Sequence, residues 1–304
     1  MGSQCSCYSN SSDSRLEEYD MLHQENCHKA RIIHSSNQSG FIKEICESWN
    51  DKVKSTEAKL GIFFFDENDM LSEDLGLPLY SPEGWLYIGQ VNSNGKKSGR
   101  GVYIWPDGAK YIGYWSNDKA HGKGRLIHAD GDAYEGDWIQ DKAEGRGKYT
   151  HSDGAWYEGE WKNDQQHGHG EEHWMDGSSF IGNYENGLRH GLGEFKWPDK
   201  SNFRGEFYKG KIQGRGTYLW ADGRIYTGEW HNNKMNGKGC LSWPDGKMYD
   251  GEYADDKREG FGIFVWTDGT KYEGTWKNGK RHGKGKMYAN GKGFEGEWID
   301  GVQA

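Results

Sequence analysis

The residues best suited to chemistry lie at the start of the chain. Met1-Gly2-Ser3-Gln4-Cys5-Ser6-Cys7 fits M-G-x-x-x-[ST], the pattern for N-myristoylation of Gly2. Two thiols beside it, Cys5 and Cys7, are placed for palmitoylation. One myristoyl chain holds a protein to a bilayer only marginally, with a binding constant of about 10⁴ M⁻¹, so a second signal is needed. Basic residues do not supply it, because residues 1–30 hold Arg15 and Lys29 against five carboxylates. The two cysteines are the expected second signal.

Elsewhere the tempting groups dissolve into a pattern. His167, His169 and His173 stand close enough in sequence for a metal cluster. Yet His121, His167, His190 and His282 all occupy one recurring slot, just before Gly-x-Gly, so the expected role is structural and no metal or cofactor is expected. Gly122-Lys123-Gly124 and Gly283-Lys284-Gly285 resemble phosphate loops only superficially, since G-x4-G-K-[ST] does not occur. No nucleophile elbow, kinase signature or HExxH is present. No catalytic residue is expected, and the chain reads as non-enzymatic.

The element that generates these slots is a repeat. The string aromatic-x-Gly-x-bulky opens ten times, at Tyr87, Tyr111, Tyr134, Tyr157, Phe180, Phe203, Tyr226, Tyr249, Tyr272 and Phe294. Its period is 23 residues. Gly-x-Gly follows at a fixed offset, and Asp-Gly precedes most opening aromatics, as in Asp107-Gly108 and Asp222-Gly223. Composition agrees: Gly 47 and Trp 15 among 304 residues, with Pro 5. Mean hydropathy is −1.05. An ordinary aliphatic core is excluded, and rings must pack on glycines.

One unit, Tyr226 to Gly246, shows the expected structure. In Tyr226-Thr-Gly228-Glu-Trp230, alternation sets Tyr226, Gly228 and Trp230 on one sheet face. His231–Asn236 is expected to be a polar turn. Gly237, Gly239, Leu241 and Trp243 share a face on the returning strand, and Pro244-Asp245-Gly246 is a tight turn. The fold class is therefore all-β: an elongated single-layer antiparallel meander of ten hairpins. The strand glycines Gly113, Gly136, Gly159, Gly228 and Gly274 would make room for rings lying flat over the backbone. The rings themselves are Tyr111, Trp115, Tyr134, Trp138, Tyr157, Trp161, Tyr226, Trp230, Tyr272 and Trp276. Cross-strand ring contacts contribute about 0.2–1 kcal/mol each. A second ring face would line a groove for a partner. At about 4.8 Å per strand, ten units make a rod roughly 90–95 Å long.

YxGxW…GxGxxxWxDG on this period resembles the MORN repeat family, most closely at Tyr157-Glu-Gly-Glu-Trp161-Lys-Asn and Tyr272-Glu-Gly-Thr-Trp276-Lys-Asn-Gly279. The resemblance covers residues 85–300. It implies a twisted single-layer sheet used as a scaffold or dimerisation module near membranes, cilia or the cortical cytoskeleton. Phosphoinositide binding has also been proposed for such arrays.

Three segments follow: a lipidated polar tail over 1–38, a capping segment over 39–84, and the repeat array over 85–301. Within the capping segment, Phe41, Ile42, Ile45, Cys46, Trp49 and Val53 recur at amphipathic-helix spacing. Lys59–Phe65 reads as a buried strand, and Leu77–Gly84 as half of a degenerate repeat. The last unit stops as a single strand, Phe294-Glu-Gly-Glu-Trp298, whose edge is expected to pair with a second copy.

Net charge is −9, of which residues 1–84 hold −8 and the array −1. That excludes nucleic acid, which demands a basic face, and weakens electrostatic attraction to anionic lipid. Five cysteines, three before residue 30, do not make a disulfide framework and fit a reducing compartment. No apolar run reaches 18 residues, so no segment spans a bilayer. The expected function is a scaffold tethered by acylation to the cytoplasmic face of a membrane or cortex, binding a protein partner and a second copy. Two alternatives stand: a phospholipid-binding module using Lys123, Lys238 and Lys284, and a soluble subunit of an axonemal or ciliary assembly.

Overall fold

The computed structural model describes residues 50–65 and 78–304. These fall into two compact units, one ending at Gln166 and the other running His167–Ala304. Both are built alike. Within each, every strand pairs antiparallel with the next in sequence, giving a single-layer meander of 23-residue hairpins.

The Tyr226 repeat illustrates the construction. Ile225–His231 runs out and Lys234–Ser242 returns. The link is a two-residue turn, with Asn232 at φ 49° and Asn233 at φ 67°. Both lie in the left-handed region, the type I′ geometry whose twist matches the flanking strands. The six-residue turn expected over His231–Asn236 is thereby corrected. The Asn233 carboxamide accepts a hydrogen bond from Ile212 N at 2.7 Å, while Asn233 N donates to Ile212 O at 3.0 Å. Asp141 clips Ala120 and Asp256 clips Met235 in the same way. This is why an Asn or Asp recurs there.

Gly237 lies inside the returning strand, not in a turn. The register shifts between Gly228 and Trp230, so Asn236–Lys238 oppose Glu229 alone. Gly237 sits in this bulge at φ 77°, where an L side chain is strained. Bulges leave N–H groups unpaired, and the residue before the Trp slot answers them. Asp137 accepts from Arg146 N at 2.9 Å, and Glu206 from Arg215 N at 3.0 Å. At the opposite sheet edge, Trp243-Pro-Asp-Gly246 closes on a Gly246 N to Trp243 O bond of 3.0 Å, with Gly246 at φ 90°.

The core is a glycine row crossing each sheet with rings laid over it. Gly101 pairs with Gly113, Gly113 with Gly124 and Gly124 with Gly136 in the first unit. Gly216, Gly228, Gly239 and Gly251 continue the same register in the second. A Cβ added at Gly136 would stand 2.5 Å from Gly147 Cα and 2.6 Å from the Tyr134 hydroxyl. The strands approach and the ring descends because neither glycine has a side chain.

Ahead of the array, a helix α1 (Asp51–Leu60) lies on the back face of the first unit. Asn50 caps it by accepting from Lys52 N at 2.9 Å, as Asn commonly does at this position. Residues 41–49 of the expected amphipathic helix fall outside the described residues. The strand expected over Lys59–Phe65 does not form. α1 runs on to Leu60, and residues 61–65 continue without regular structure, Ile62 and Phe64 exposed. Leu79–Tyr80 pairs with Leu86–Val91 through a Ser81–Gly84 turn of the same kind as Trp243–Gly246. The last unit also departs from expectation. After Lys292–Ile299 the chain turns at Asp300-Gly301, and Val302 pairs with Ile299.

Candidate functional site

Each hairpin contributes two rings to one face of the sheet, called here the ladder face. In the first unit Tyr111 meets its own Trp115 at 4.9 Å and the next repeat's Trp138 at 5.4 Å, both edge-on. Tyr134 stands likewise between Trp138 and Trp161, and Tyr157 meets Trp161. In the second unit the series runs Tyr226–Trp230, Tyr226–Tyr253, Tyr249–Trp276, Tyr272–Trp276 and Tyr272–Trp298. Edge-to-face contacts at these distances are the favourable arrangement for aromatic quadrupoles.

Polar atoms of the ladder are satisfied by the backbone beneath. Tyr111, Tyr134, Tyr157, Tyr226 and Tyr272 hydroxyls donate to the carbonyl three residues on, at 3.0–3.1 Å. Burial pushes the phenols of Tyr111, Tyr134 and Tyr226 far above the ordinary tyrosine range, so they stay neutral donors. Trp138, Trp161 and Trp276 donate Nε1–H to the glycine carbonyls of Gly124, Gly147 and Gly262 at 3.0–3.1 Å. Trp115 and Trp230 reach Gly101 and Gly216.

These rings are core. Tyr226 and Tyr272 are fully buried, Trp161 half-buried, and the other named rings buried. The Trp slot also takes Tyr184, whose hydroxyl donates to Glu172 at 2.8 Å, and Phe207, which has nothing to satisfy. Tyr253 in the same slot leaves its hydroxyl buried without a hydrogen-bond partner among the described residues. Tyr253→Trp is therefore expected to stabilise the second unit by about 1 kcal/mol, by giving Gly239 O the bond its counterparts accept. Thermal melting of the full chain measures this.

The accessible aromatics form a second row, along the turn edge of the ladder face. Trp174, Trp197, Trp220, Trp243 and Trp266 recur at 23 residues in the second unit and are all half-buried. They interleave with Phe195, Tyr218 and Phe264. Phe195 lies 4.5 Å from Trp197, Trp197 5.1 Å from Tyr218, Tyr218 4.5 Å from Trp220, and Phe264 4.6 Å from Trp266. Guanidiniums stand over this rail. Arg224 is 5.0 Å from the Trp220 ring centroid, Arg258 5.3 Å from Phe264, and Arg281 5.8 Å from Trp266. The rings expected from sequence to line a groove are those of the ladder, and the rail tryptophans are not among them. Their 23-residue recurrence was the available signal.

In the first unit the corresponding edge is pinned by a polar cluster. Asp132 accepts from Tyr149 OH at 2.9 Å and Ser152 N at 2.8 Å, with His151 Nδ1 at 2.9 Å. Burial opposes its ionisation, but hydrogen bonds from His151, Ser152 and Tyr149 hold its carboxyl well below the usual range. A depressed carboxylate stabilises the fold above the unfolded pKa, near pH 4, and loses that contribution as pH falls. Asp132→Asn should thus cost the first unit roughly 1–3 kcal/mol at pH 7. The gap from the parent should close toward pH 2 in acid-denaturation curves.

Of the remaining candidates, Lys123 pairs with Asp137 at 2.6 Å. Lys238 stands opposite Glu252 and Lys284 opposite Glu297 in register, so each lysine has a carboxylate neighbour. His173 pairs with Glu171 at 2.7 Å. No group of three His, Cys, Asp or Glu side chains is arranged to hold a metal ion among the described residues. Phe294 is 53% exposed, whereas Trp298 is buried and closes the ladder beside Tyr272. Gly2, Cys5 and Cys7 lie outside the described residues.

A family model described as MORN repeat matches nine successive segments, from residues 87–110 to residues 272–293. No curated protein shows significant sequence similarity to the chain. Among solved structures, the Drosophila melanogaster SAS-4 (dCPAP) TCP domain in complex with a proline-rich motif of Ana2 is 16% identical. That match spans 52% of this chain and 84% of that one, with a TM-score of 0.32. The Danio rerio CPAP TCP10 domain with a STIL peptide is 15% identical over 73% and 99%, with a TM-score of 0.29. Likenesses this slight bear on neither fold nor function.

Proposed function

The chain belongs to the MORN repeat family, and from that premise we propose that it is a non-catalytic protein-binding scaffold whose binding surface is the tryptophan rail of the second unit. The observation that carries this is the division of labour among the rings. Ladder rings other than Trp161 are buried, while five half-buried tryptophans lie in a row, with guanidiniums over Trp174, Trp220 and Trp266. Tryptophan and arginine are the residue types that dominate binding energy at protein interfaces. The partner that fits is a segment combining apolar side chains with carboxylates. A Trp220→Ser/Trp243→Ser double variant should keep its fold and lose the partner retained by the parent chain on isolation from the same cells. Equal retention would count against the rail.

Anchorage by acyl chains on Gly2, Cys5 and Cys7 at the cytoplasmic face of a membrane belongs to the same proposal and rests on the sequence pattern. Intact and peptide mass of the protein from its own cells tests it. An unmodified Gly2 removes the tether. Self-association through the C-terminal repeats is supported by Phe294, Ile299 and Val302, all exposed on the final strand pair. An unchanged oligomeric mass in Phe294→Lys would remove that part.

A further inference from the structure

Rail and ladder tryptophans differ in what their N–H groups meet. In the second unit the ladder indoles of Trp230 and Trp276 donate to Gly216 O at 3.2 Å and Gly262 O at 3.1 Å. The rail indoles of Trp174, Trp197, Trp220, Trp243 and Trp266 donate to no group among the described residues, and none of these nitrogens is buried. The guanidiniums beside the rail divide in a similar way. Arg224 pairs with Asp222 at 2.8 Å. Arg189, Arg258 and Arg281 lie over Phe195, Phe264 and Trp266, with no carboxylate partner among the described residues. The rail is thus a line of apolar rings that carries open N–H donors and uncompensated positive charge.

Each repeat is two strands wide, so successive rail tryptophans stand about 9.6 Å apart. A ligand that meets every one of them must repeat itself at that interval. An α-helix presents a turn about every 5.4 Å and a heptad about every 10.5 Å, and its carbonyls are bonded to its own amides. A β-strand presents one face about every 6.7 Å. A polyproline II helix presents the same edge every third residue, about 9.3 Å, and leaves its carbonyls unbonded. From Trp174 to Trp266 the rail measures about 38 Å, and twelve polyproline II residues measure about 37 Å. Side chains absorb a mismatch of about 1 Å, whereas a helix read heptad by heptad would be out by about 4 Å over the same length.

We infer that the rail binds a polyproline II segment of another protein, with proline at every third position and carboxylates between, an inference that rests on the rail being the binding surface. Prolines pack against the rail rings, and the indole N–H groups donate to the segment's carbonyls. Asp or Glu side chains of the segment meet Arg189, Arg258 and Arg281. An aromatic-lined surface suits this conformation because it is preformed and loses little entropy on binding. These 304 residues do not supply the segment themselves. Their five prolines, Pro78, Pro82, Pro106, Pro198 and Pro244, include no two that stand three apart.

The test titrates the full chain with three synthetic peptides of equal length and charge, (Pro-Pro-Glu)4, (Ala-Leu-Glu)4 and (Gly-Ser-Glu)4, followed by calorimetry. (Pro-Pro-Glu)4 is expected to bind about tenfold more tightly than either of the others. It should also exceed (Pro-Pro-Glu)2, which spans half the rail, by about tenfold, because the added turns meet tryptophans already in step. Trp220→Ser/Trp243→Ser should lower its affinity about tenfold at an unchanged melting temperature. If that variant melts early, Trp220→Phe/Trp243→Phe replaces it; the rings stay, the N–H donors go, and the expected loss is about threefold to tenfold. No binding, no preference for (Pro-Pro-Glu)4, no gain with length, or an affinity indifferent to the rail substitutions overturns the inference. Its failure is distinct from that of the rail. A serine double variant that loses its cellular partner, while the parent shows no preference among the peptides, keeps the rail and refutes the polyproline ligand. A serine double variant that retains its cellular partner refutes the rail, and the inference with it.

Discussion

Gly228→Ala is expected to melt the repeats around it. The added methyl would lie 2.5 Å from both Gly239 Cα and the Tyr226 hydroxyl, and 2.6 Å from the ring carbon bearing it. Backbone on one side and a fully buried ring on the other leave it no exit. Either the strands part or Tyr226 lifts off the sheet and loses its edge contacts with Trp230 and Tyr253. Overpacking of this kind typically costs about 1–3 kcal/mol, and displacing the ring adds to it, so a loss of about 3 kcal/mol or more is expected. Gly246→Ala is the control. Gly246 has φ 90° but a Cβ there would meet nothing within 4 Å among the described residues, so only the backbone conformation is penalised, by about 1 kcal/mol. Because repeat arrays are stabilised by neighbour contacts, hydrogen exchange in Gly228→Ala should accelerate first in the strands flanking Gly228. Equal effects from the two alanines would show that the glycine row is not where rings and backbone meet.

Trp276→Ala should be comparably severe. The indole is 5% exposed, lies 5.2 Å from Tyr249 and 5.3 Å from Tyr272, carries Arg258 over its face at 4.3 Å, and donates to Gly262 O. Its removal opens a cavity and strands part of that assembly, a loss of about 3–5 kcal/mol. Trp276→Phe should cost far less, because Phe207 fills the same slot two ring contacts deep, against Phe180 and Phe203. Denaturant titration of both variants checks the ordering.

How much of this was legible in the sequence depends on the range of the interaction. The 23-residue period is legible in the recurrence of one short string, and the single-layer meander and ring-over-glycine core follow from the alternation within it, as in Tyr226-Thr-Gly228-Glu-Trp230. The two-residue turn was also written in Asn232-Asn233, a type I′ signal. Gly237 hides it, because in sequence it reads as the start of the strand, whereas it is a bulge within it. Which rings stay accessible was not legible. Trp230 and Trp243 look alike in sequence, but one lies over a glycine row in mid-strand and the other stands at a turn edge. The place of α1 was hidden for a similar reason. Alternation says that Ile127 and Leu126 face opposite ways, not which face a helix covers. Lys59–Phe65 read as a strand by composition, yet Gly61 at φ 74° ends the helix there.

The most direct test of the account compares the chain alone with the complex isolated from its own cells, by hydroxyl-radical footprinting of individual tryptophans. The ladder tryptophans Trp230 and Trp276 should be unreactive in both. Trp197, Trp220 and Trp243 should oxidise in the free chain and be protected in the complex. If those three oxidise equally in both, the rail is not the binding surface and the scaffold reading fails at its centre.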